Sequence, residues 1–259
     1  MASTHVRLIL AIESATDWLS VAVLDGETVL SMSQSDARMQ HAAALLPAID
    51  ATLKAASTDL ESIDAIAIST GPGSFTSLRI GLATVKGLGF RRDLEAVGIS
   101  TLEAMALAGL EGDDHVGSRE VVALLDARRG DWYAGSWQGS GDHASIPALA
   151  LPEGLYSPDR IARALTGPIQ IVAPDAKIVL TALAEASVEV TRIVDGEAAR
   201  PSAEWVGRLG QRRLLAGQGV AARDLSARYL RRAEAEAKRL GGPVEPGEIA
   251  DLSESGEAK

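Results

Sequence analysis

The sequence predicts an α/β protein in which two mixed β-sheets are each flanked by helices. The chain opens with three strands in succession, and the Asp25-Gly26 pair between the second and third is a strong signal for a two-residue hairpin. Helices and strands then alternate, as in sheets whose strands are joined by right-handed crossovers. A new apolar strand and a turn at residues 129–131 later begin a second unit on the same plan.

The individual elements follow from local patterns. Strands are expected where short apolar runs are bounded by turn residues, over residues 6–12, 19–24, 28–33, 63–69, 96–100, 121–127 and 169–174. Helical patterns cover residues 37–56, 76–90, 101–110, 157–166, 175–186 and 201–216. Asp36 is expected to cap the first helix, Pro47 to bend it or mark an irregular turn, and Pro201 to stand in the first turn of the last helix.

Composition suggests how these elements divide into domains. Residues 1–110 form a first subdomain, and the polar segment at 111–120 links it to a second subdomain over residues 111–232. The helix near 201–216 is expected to pack back on the first subdomain. Residues 233–259 are rich in Glu, Gly and Pro with little apolar content, and they are expected to form a disordered acidic tail.

The composition also excludes several classes of function. The 259 residues carry a formal net charge of −10, whereas binding of nucleic acid needs a surplus of Lys and Arg on one face. Any main contact with nucleic acid is therefore expected to come from a more basic partner. There is no cysteine, which removes disulfides, thiolate metal sites and cysteine nucleophiles. No apolar run is long enough for a signal peptide or a membrane span, and the expected location is the cytoplasm.

The stretch STGPGSFTSLRIG, residues 69–81, joins a predicted strand to a predicted helix. Its glycines lack the GxxxxGK[ST] spacing and lysine of a P-loop, and they do not form GxGxxG. Backbone N–H groups ahead of a helix can still bind an anion. The simpler interpretation is a tight turn in which Ser74 or Thr76 caps the helix. Residue chemistry alone leaves both interpretations open.

The first two predicted helices are more apolar than surface helices usually are. Their apolar positions are Ala42, Leu45, Leu46, Ile49, Leu53 and Ala56 in the first, and Leu78, Ile80, Leu82, Ala83, Val85, Gly87 and Gly89 in the second. Between Phe75 and Phe90 the only charges are Arg79 and Lys86. Such helices are buried on more than one side. A partner protein could cover the second side, or the chain itself could do so.

Local support for catalysis is weak. The four histidines are scattered without an HExxH or HxxxH pair, so a metal site would need distant carboxylates. No GxSxG elbow accompanies the serines. Asp126, at the end of a predicted strand, could be catalytic or could orient a loop. Residues 13–16 could bind phosphate between two strands, but this turn has no glycine to admit a phosphate closely.

Five segments carry a resemblance to a known family. They are LILAIESATDWLSVAVL, HAAALLPAID, IAISTGPGSFTSLRIGLATVKGL, LLDARRGDWYAG and SARYLRR. Over residues 6–232 the chain resembles the family of the tRNA threonylcarbamoyladenosine biosynthesis protein TsaB, also called YeaZ. The third segment is the most specific, because it departs from the family's GPGSFTGLRIG only at Ser77. Further departures are Ala227, where Pro is common, and Glu13, where many members have Asp.

The resemblance implies a fold and a non-catalytic role. The fold is that of actin, sugar kinases and Hsp70-like ATPases (ASKHA, ribonuclease H-like), with two subdomains. The family is regarded as an inactive paralogue of TsaD, the subunit that transfers threonylcarbamoyl to an adenosine of tRNA. The active paralogue has an HxxxH metal pair on its first long helix. Here that pair reads His41 and Leu45, so a second metal ligand is missing.

The resemblance also implies partners. The chain is expected to bind and activate TsaD together with the ATPase TsaE and to meet tRNA only indirectly. A homodimer of the isolated chain is compatible with the family, and the sequence leaves the choice between homodimer and heterodimer open. No catalytic residue, metal or cofactor of its own is expected, although a nucleotide at a subunit interface is compatible with the family. The residues expected to bind the partner are His41, Leu45, Leu46, Ile49, Leu53, Phe75, Leu78, Arg79, Leu82, Val85 and Lys86.

Two other functions compete with this one. An ATP-using kinase or ATPase of the same fold would need phosphate-binding glycines after the first strand of each subdomain, and neither position has one. A metallopeptidase would need the second histidine that Leu45 replaces.

Overall fold

The computed structural model describes residues 8–90, 92–111, 120–139 and 145–231. A six-stranded sheet is formed by β1 (Leu8–Glu13), β2 (Trp18–Asp25), β3 (Thr28–Asp36), β4 (Ala65–Gly71), β5 (Glu95–Ser100) and β11 (Val220–Ala221). A five-stranded sheet is formed by β6 (Glu120–Asp126), β7 (Trp132–Gln138), β8 (Ala148–Tyr156), β9 (Ile169–Val172) and β10 (Val190–Val194). The helices are α1 (His41–Ala55), α2 (Phe75–Phe90), α3 (Thr101–Glu111), α4 (Pro158–Ala164), α5 (Lys177–Glu185) and α6 (Ala203–Leu215).

The second sheet repeats the plan of the first. The strand orders are β11-β5-β4-β1-β2-β3 and β10-β9-β6-β7-β8. In both sheets the first three strands form an antiparallel meander, and two later strands add in parallel beside the first. The prediction of two mixed sheets built on one plan is therefore confirmed.

The helices and sheets stack in layers. Helices α1 and α2 cover one face of the first sheet, where Leu45, Ile49 and Val85 join one hydrophobic cluster. The opposite face packs against α6 and one side of α3. The other side of α3 packs against the second sheet, and α4 and α5 cover the far face of that sheet. Helix α3 therefore lies between the two sheets.

Helix α6 packs against the first sheet, although it follows the second sheet along the chain. Its Val206 and Leu209 are fully buried against β1, β2 and β4. A side chain at Gly207 or Gly210 would collide with Leu24 or Ala67, so these glycines let the helix backbone approach the sheet closely. Ser202 caps this helix by accepting a hydrogen bond from the N–H of Glu204 at 3.2 Å.

A buried arginine on α6 ties four segments together. The side chain of Arg212 is only 3% exposed and bonds both carboxylate oxygens of Glu27, at 2.8 and 2.9 Å. It also pairs with Glu111 at the end of α3 and donates to the carbonyl of Ser145 at 3.0 Å. The guanidinium thereby connects α6, the β2–β3 turn, α3 and the approach to β8.

Several local expectations were wrong. Asp36 ends β3 and accepts a hydrogen bond from the N–H of Arg38, whereas Gln40 precedes α1 without a side-chain cap. Pro201 stands before the Ser202 cap, so it lies outside the first turn of α6. The hairpin loop is Gly26-Glu27, because Asp25 still pairs with Thr28.

Strands β8 and β10 were missed by the sequence patterns. The sequence of β8, ALALPEGLY, contains Pro and Gly among leucines. Strand β10, VTRIV, is half-buried and interrupted by Thr and Arg, so it has no continuous apolar run. The polar segment 112–119 and the acidic tail lie outside the described residues. The division into subdomains stays a prediction. Within the parts of the chain that the structure describes, no helix is long and apolar enough to cross a membrane.

Candidate partner-binding surface and inter-sheet cleft

Residues 71–74, here called the GPGS turn, pack tightly against the turn between β1 and β2. Ser74 donates its backbone N–H to the carbonyl of Ala15 at 2.6 Å, and a side chain at Gly73 would collide with Ala15. The Ser74 hydroxyl accepts a hydrogen bond from the N–H of Ser77 at 3.4 Å, so Ser74 is the residue that caps α2. Gly71 has a φ of 111°, a conformation that side chains rarely adopt. Atoms of Ala15 therefore occupy the space beside Gly73 and Ser74 in which a bound anion would have to lie.

Replacement of Gly73 and of Gly87 by Ala should change the free energy of unfolding in opposite directions. Gly73→Ala should lower the free energy of unfolding by about 1–3 kcal/mol, because the methyl group has no room beside Ala15. Gly87→Ala should raise it by about 0.5–1 kcal/mol, because Gly87 is an exposed helical position with open space around it. Urea unfolding of both variants checks the pair. Equal effects at the two sites would contradict the packing of this turn.

Glu13, at the end of β1, is completely buried. Its Oε1 accepts a hydrogen bond from the N–H of Ala15 at 2.6 Å, and its Oε2 has no partner among the described residues. Burial raises the pKa of Glu13 to about 7, although hydrogen bonds with Ala15 and Ser69 oppose the shift. The carboxyl group is therefore roughly half protonated near neutral pH.

Two more buried carboxyl groups lie where the sheets approach each other. Glu153 on β8 accepts a hydrogen bond from the Ser100 hydroxyl at 2.8 Å and pairs with Arg228 at 3.0 Å. Glu103 on α3 pairs with Arg213 at 2.5 Å. Burial raises the pKa of both carboxyl groups, and the facing arginines reduce the shift. The Ser100–Glu153 hydrogen bond joins the two sheets, and the Glu103–Arg213 pair joins α3 to α6. The side chains of Glu103 and Glu153 are 5% and 4% exposed, whereas those of Arg213 and Arg228 are 25% and 49% exposed.

Residues 225–231, here called the C-terminal strap, contact both sheets. The backbone N–H of Arg228 donates to the carbonyl of Thr70 at the end of β4, at 2.8 Å. Arg231 donates to the carbonyl of Ala127 and pairs with Asp131, both at 2.6 Å, so it closes the β6–β7 turn. The strap therefore covers the carboxyl ends of strands from both sheets.

The ends of β1 and β6 do not fit the phosphates that a kinase or ATPase of this fold would place after these strands. The end of β1 is filled by the packed GPGS turn, and the end of β6 is covered by Arg231. Asp126 accepts a hydrogen bond from the N–H of Arg128 at 2.7 Å, which supports its loop-orienting interpretation.

The residues at the start of α1 do not fit a divalent metal ion. His41 is 3% exposed with an unpartnered Nε2, and the residue one turn later is the buried Leu45. In the ranges given above, no three side chains of His, Cys, Asp or Glu come together as a metal site. Histidines 5, 115 and 143 lie outside those ranges.

The outward sides of α1 and α2 form what we call the outer helix surface. It includes Met39, two residues before α1, at 97% exposure, Leu46 at 55% and Phe90 at 89%. The other exposed positions of the two helices are mostly small or charged, and Asp50 is paired with Lys54. They are Ala42, Ala43, Pro47, Asp50, Ala51, Lys54, Ala55, Thr76, Arg79, Ala83, Lys86 and Gly87. Met39, Leu46 and Phe90 are therefore the large apolar side chains at which a partner could contact these helices.

The structure separates the predicted partner-binding residues into two groups. Seven side chains lie in the interior of the protein: His41, Leu45, Ile49, Leu53, Leu78, Leu82 and Val85. Their assignment as direct contacts is corrected, because the first sheet and the neighbouring helix already bury them. Leu46, Arg79 and Lys86 are exposed and Phe75 is half-buried, and for these four the partner contact stays a prediction.

Three exposed residues on or beside this surface were missed by sequence reasoning. Met39 lies in a turn with a φ of 61°, and Phe90 is the last residue of α2. Tyr229, in the strap, stacks on Phe75 with ring centroids 4.8 Å apart. The apolar periodicity of a helix does not extend to its flanking residues, and no local pattern links residues 75 and 229.

Comparison with known proteins identifies the family. The family model described as TsaD, tRNA N6-adenosine threonylcarbamoyltransferase, matches residues 32–173, more than half of the chain. The tRNA threonylcarbamoyladenosine biosynthesis protein TsaB of Escherichia coli is 37% identical over 130 residues, which is 50% of this chain and 54% of that protein. The chain belongs to the TsaB/YeaZ family.

Other members of the TsaB/YeaZ family extend the similarity. TsaB of Bacillus subtilis is 30% identical over 130 residues, covering 50% of this chain and 55% of that protein. The chain thus spans about half the length of the curated relatives it matches. The structure of YeaZ from Pseudomonas aeruginosa superimposes with a TM-score of 0.74 at 26% identity, over 86% of this chain and all of that one. The predicted architecture, two mixed sheets flanked by helices, is confirmed.

Proposed function

We propose that this protein is a non-catalytic subunit of the machinery that forms threonylcarbamoyladenosine in tRNA. In this role the outer helix surface binds the transferase subunit TsaD. The ATPase TsaE completes the assembly, and tRNA meets this subunit only indirectly. The names of the curated relatives support the pathway.

The observation that carries the proposal is the exposed apolar face of α1 and α2. Burying Met39, Leu46 and Phe90 against a partner would remove large apolar side chains from water, which favours association. The chain also matches the TsaD model, so both partners would present helices at corresponding positions of one fold. A pair formed through these helices therefore resembles a homodimer, and the isolated chain is expected to self-associate through the same surface.

Two features support a non-catalytic role. The HxxxH metal pair has lost its second histidine to Leu45, which is buried in the core. The strand ends that would receive phosphates are filled by the GPGS turn and the C-terminal strap. A nucleotide bound by the assembly would then lie at the interface with a partner, and not inside this chain.

Leu46→Asp should weaken binding to TsaD at least about tenfold, because it places a charge in an apolar contact near the middle of α1. Since Leu46 is 55% exposed in the free chain, the variant should keep its fold. Isothermal titration calorimetry with TsaD from the same organism measures the change.

Ile178→Asp is the matched control. Ile178 is 63% exposed near the start of α5, where a negative charge is favourable to the helix, so TsaD binding should be unchanged. Failure of the unmodified chain to bind TsaD at micromolar concentration would overturn the proposed partner. Equal affinities for Leu46→Asp and the unmodified chain would overturn the proposed surface.

A further inference from the structure

Arg79 on α2 lies over the ring of Phe75, and Tyr229, which contacts the same ring, lies to one side. Its guanidinium carbon lies 3.7 Å from the ring centre of Phe75, one helical turn earlier, and 5.9 Å from that of Tyr229 in the C-terminal strap. Its Nε donates a hydrogen bond to the Tyr229 hydroxyl at 3.1 Å. Stacking and this one bond fix the plane of the guanidinium while Arg79 stays exposed.

The fork of this guanidinium has no acidic partner among the described residues, although acidic side chains are abundant. The chain has 35 Asp and Glu against 25 Lys and Arg. Many other arginines are paired, as Arg38 is with Asp17 and Arg223 with Asp93. On the exposed side of α2 the charges are Arg79 and Lys86, two turns apart and both positive.

We infer that Arg79, Phe75 and Tyr229 form a preorganised receptor for a carboxylate on the protein that docks against the outer helix surface. This inference rests on the proposed function and names the chemistry of one contact within it. Among the described residues only the Nε of Arg79 has a hydrogen-bond partner, and the two terminal nitrogens match the two oxygens of an Asp or Glu side chain. The Tyr229 hydroxyl accepts the bond from Nε, so its own proton is free to donate to the same carboxylate.

Charge favours a protein carboxylate over an RNA phosphate as the ligand. A net charge of −10 repels a nucleic acid as a whole, whereas a local positive stripe on α2 complements an acidic face of a protein. Tyr229 is a positioning residue in this receptor: it orients the guanidinium and anchors the strap to α2.

Titration calorimetry with TsaD tests the receptor through three variants. Arg79→Gln should weaken binding about 30-fold and Arg79→Lys about tenfold, because lysine keeps the charge but loses the planar fork. Tyr229→Phe keeps the ring stack and removes the hydroxyl, and it should cost about threefold. Arg160→Gln is the matched control, because Arg160 lies 5.7 Å from the ring centre of Tyr156 on the second half of the molecule, and it should bind normally.

A second measurement tests carboxylate binding by Arg79 in the free chain, without TsaD. In NMR spectra of the free chain, acetate should shift the Nε–H resonance of Arg79 at millimolar concentration, and the shift should weaken in Tyr229→Phe. The inference is overturned if TsaD binds Arg79→Lys as tightly as the unmodified chain, or if acetate leaves this resonance unchanged. It is also overturned if Arg79→Gln weakens binding of tRNA and not of TsaD. Failure of the unmodified chain to bind TsaD, with a normal acetate response, would remove the proposed function and keep the carboxylate site.

Discussion

Arg212→Met is expected to lower the free energy of unfolding by about 3 kcal/mol, because it removes the closest counter-charge of Glu27 and Glu111 and leaves Glu111 with the more distant Arg208 at 3.7 Å. Glu111 is 9% exposed at its side chain and Glu27 is 35% exposed, so neither can be fully solvated once the guanidinium is removed. The methionine side chain fills much of the space that the Arg212 side chain occupied. The loss of unfolding free energy therefore comes more from the removed charge than from lost packing. Urea denaturation followed by circular dichroism measures the difference.

Arg223→Met is the control for this prediction. The pair between Arg223 and Asp93 is exposed at 67% and 68% of the two side chains, and removing it should cost less than about 1 kcal/mol. Combining Arg212→Met with Glu111→Gln should recover part of the lost stability, because the uncompensated charge disappears. A loss below 1 kcal/mol in Arg212→Met would show that the four segments are held together without this arginine.

Glu13 is expected to make the protein less stable as pH rises from 5 to 8. The folded-state pKa of about 7 exceeds the ordinary value of 4.5, so the folded chain binds a proton that the unfolded chain has released. Stability from this group is complete below the ordinary pKa and is lost as pH rises through about 7. With about 1.4 kcal/mol per pKa unit, the loss between pH 5 and pH 8 is about 2–3 kcal/mol.

The Glu13→Gln variant isolates that effect. The amide is neutral at every pH, so the difference in unfolding free energy between the unmodified chain and the variant should change by about 2–3 kcal/mol between pH 5 and pH 8. Urea titrations of both proteins in matched buffers give this difference. An identical pH dependence in the two proteins would mean that Glu13 ionises in the folded state as it does in the unfolded chain.

Most of the fold could be predicted from the sequence because its central elements have clear patterns. The continuous apolar runs of β1, β4 and β6 reflect burial on both faces, and they were recognised. Strand β8 was not, because its pairing with β7 depends on a tertiary neighbour and overrides Pro152 and Gly154.

The candidate site was only partly predictable. Apolar helices indicated an interface, but periodicity cannot say which stripe faces the chain's own sheet, and the large side chains of α1 and α2 turned inward. Leu46 is the large apolar side chain of α1 that stays exposed to solvent. The Phe75–Tyr229 contact joins residues that are 154 positions apart, and sequence spacing carries no information about such a contact.

The place of α6 has a consequence for synthesis on the ribosome. The face of the first sheet formed by Ile9, Ala11 and Ala67 is covered mainly by α6, which begins only at Ala203. The amino-terminal half of a nascent chain therefore exposes an apolar sheet face until most of the protein has been translated. Domains usually fold as they emerge, and exposed apolar faces recruit chaperones or aggregate. The amino-terminal sheet therefore reaches its final stability only after α6 has left the exit tunnel.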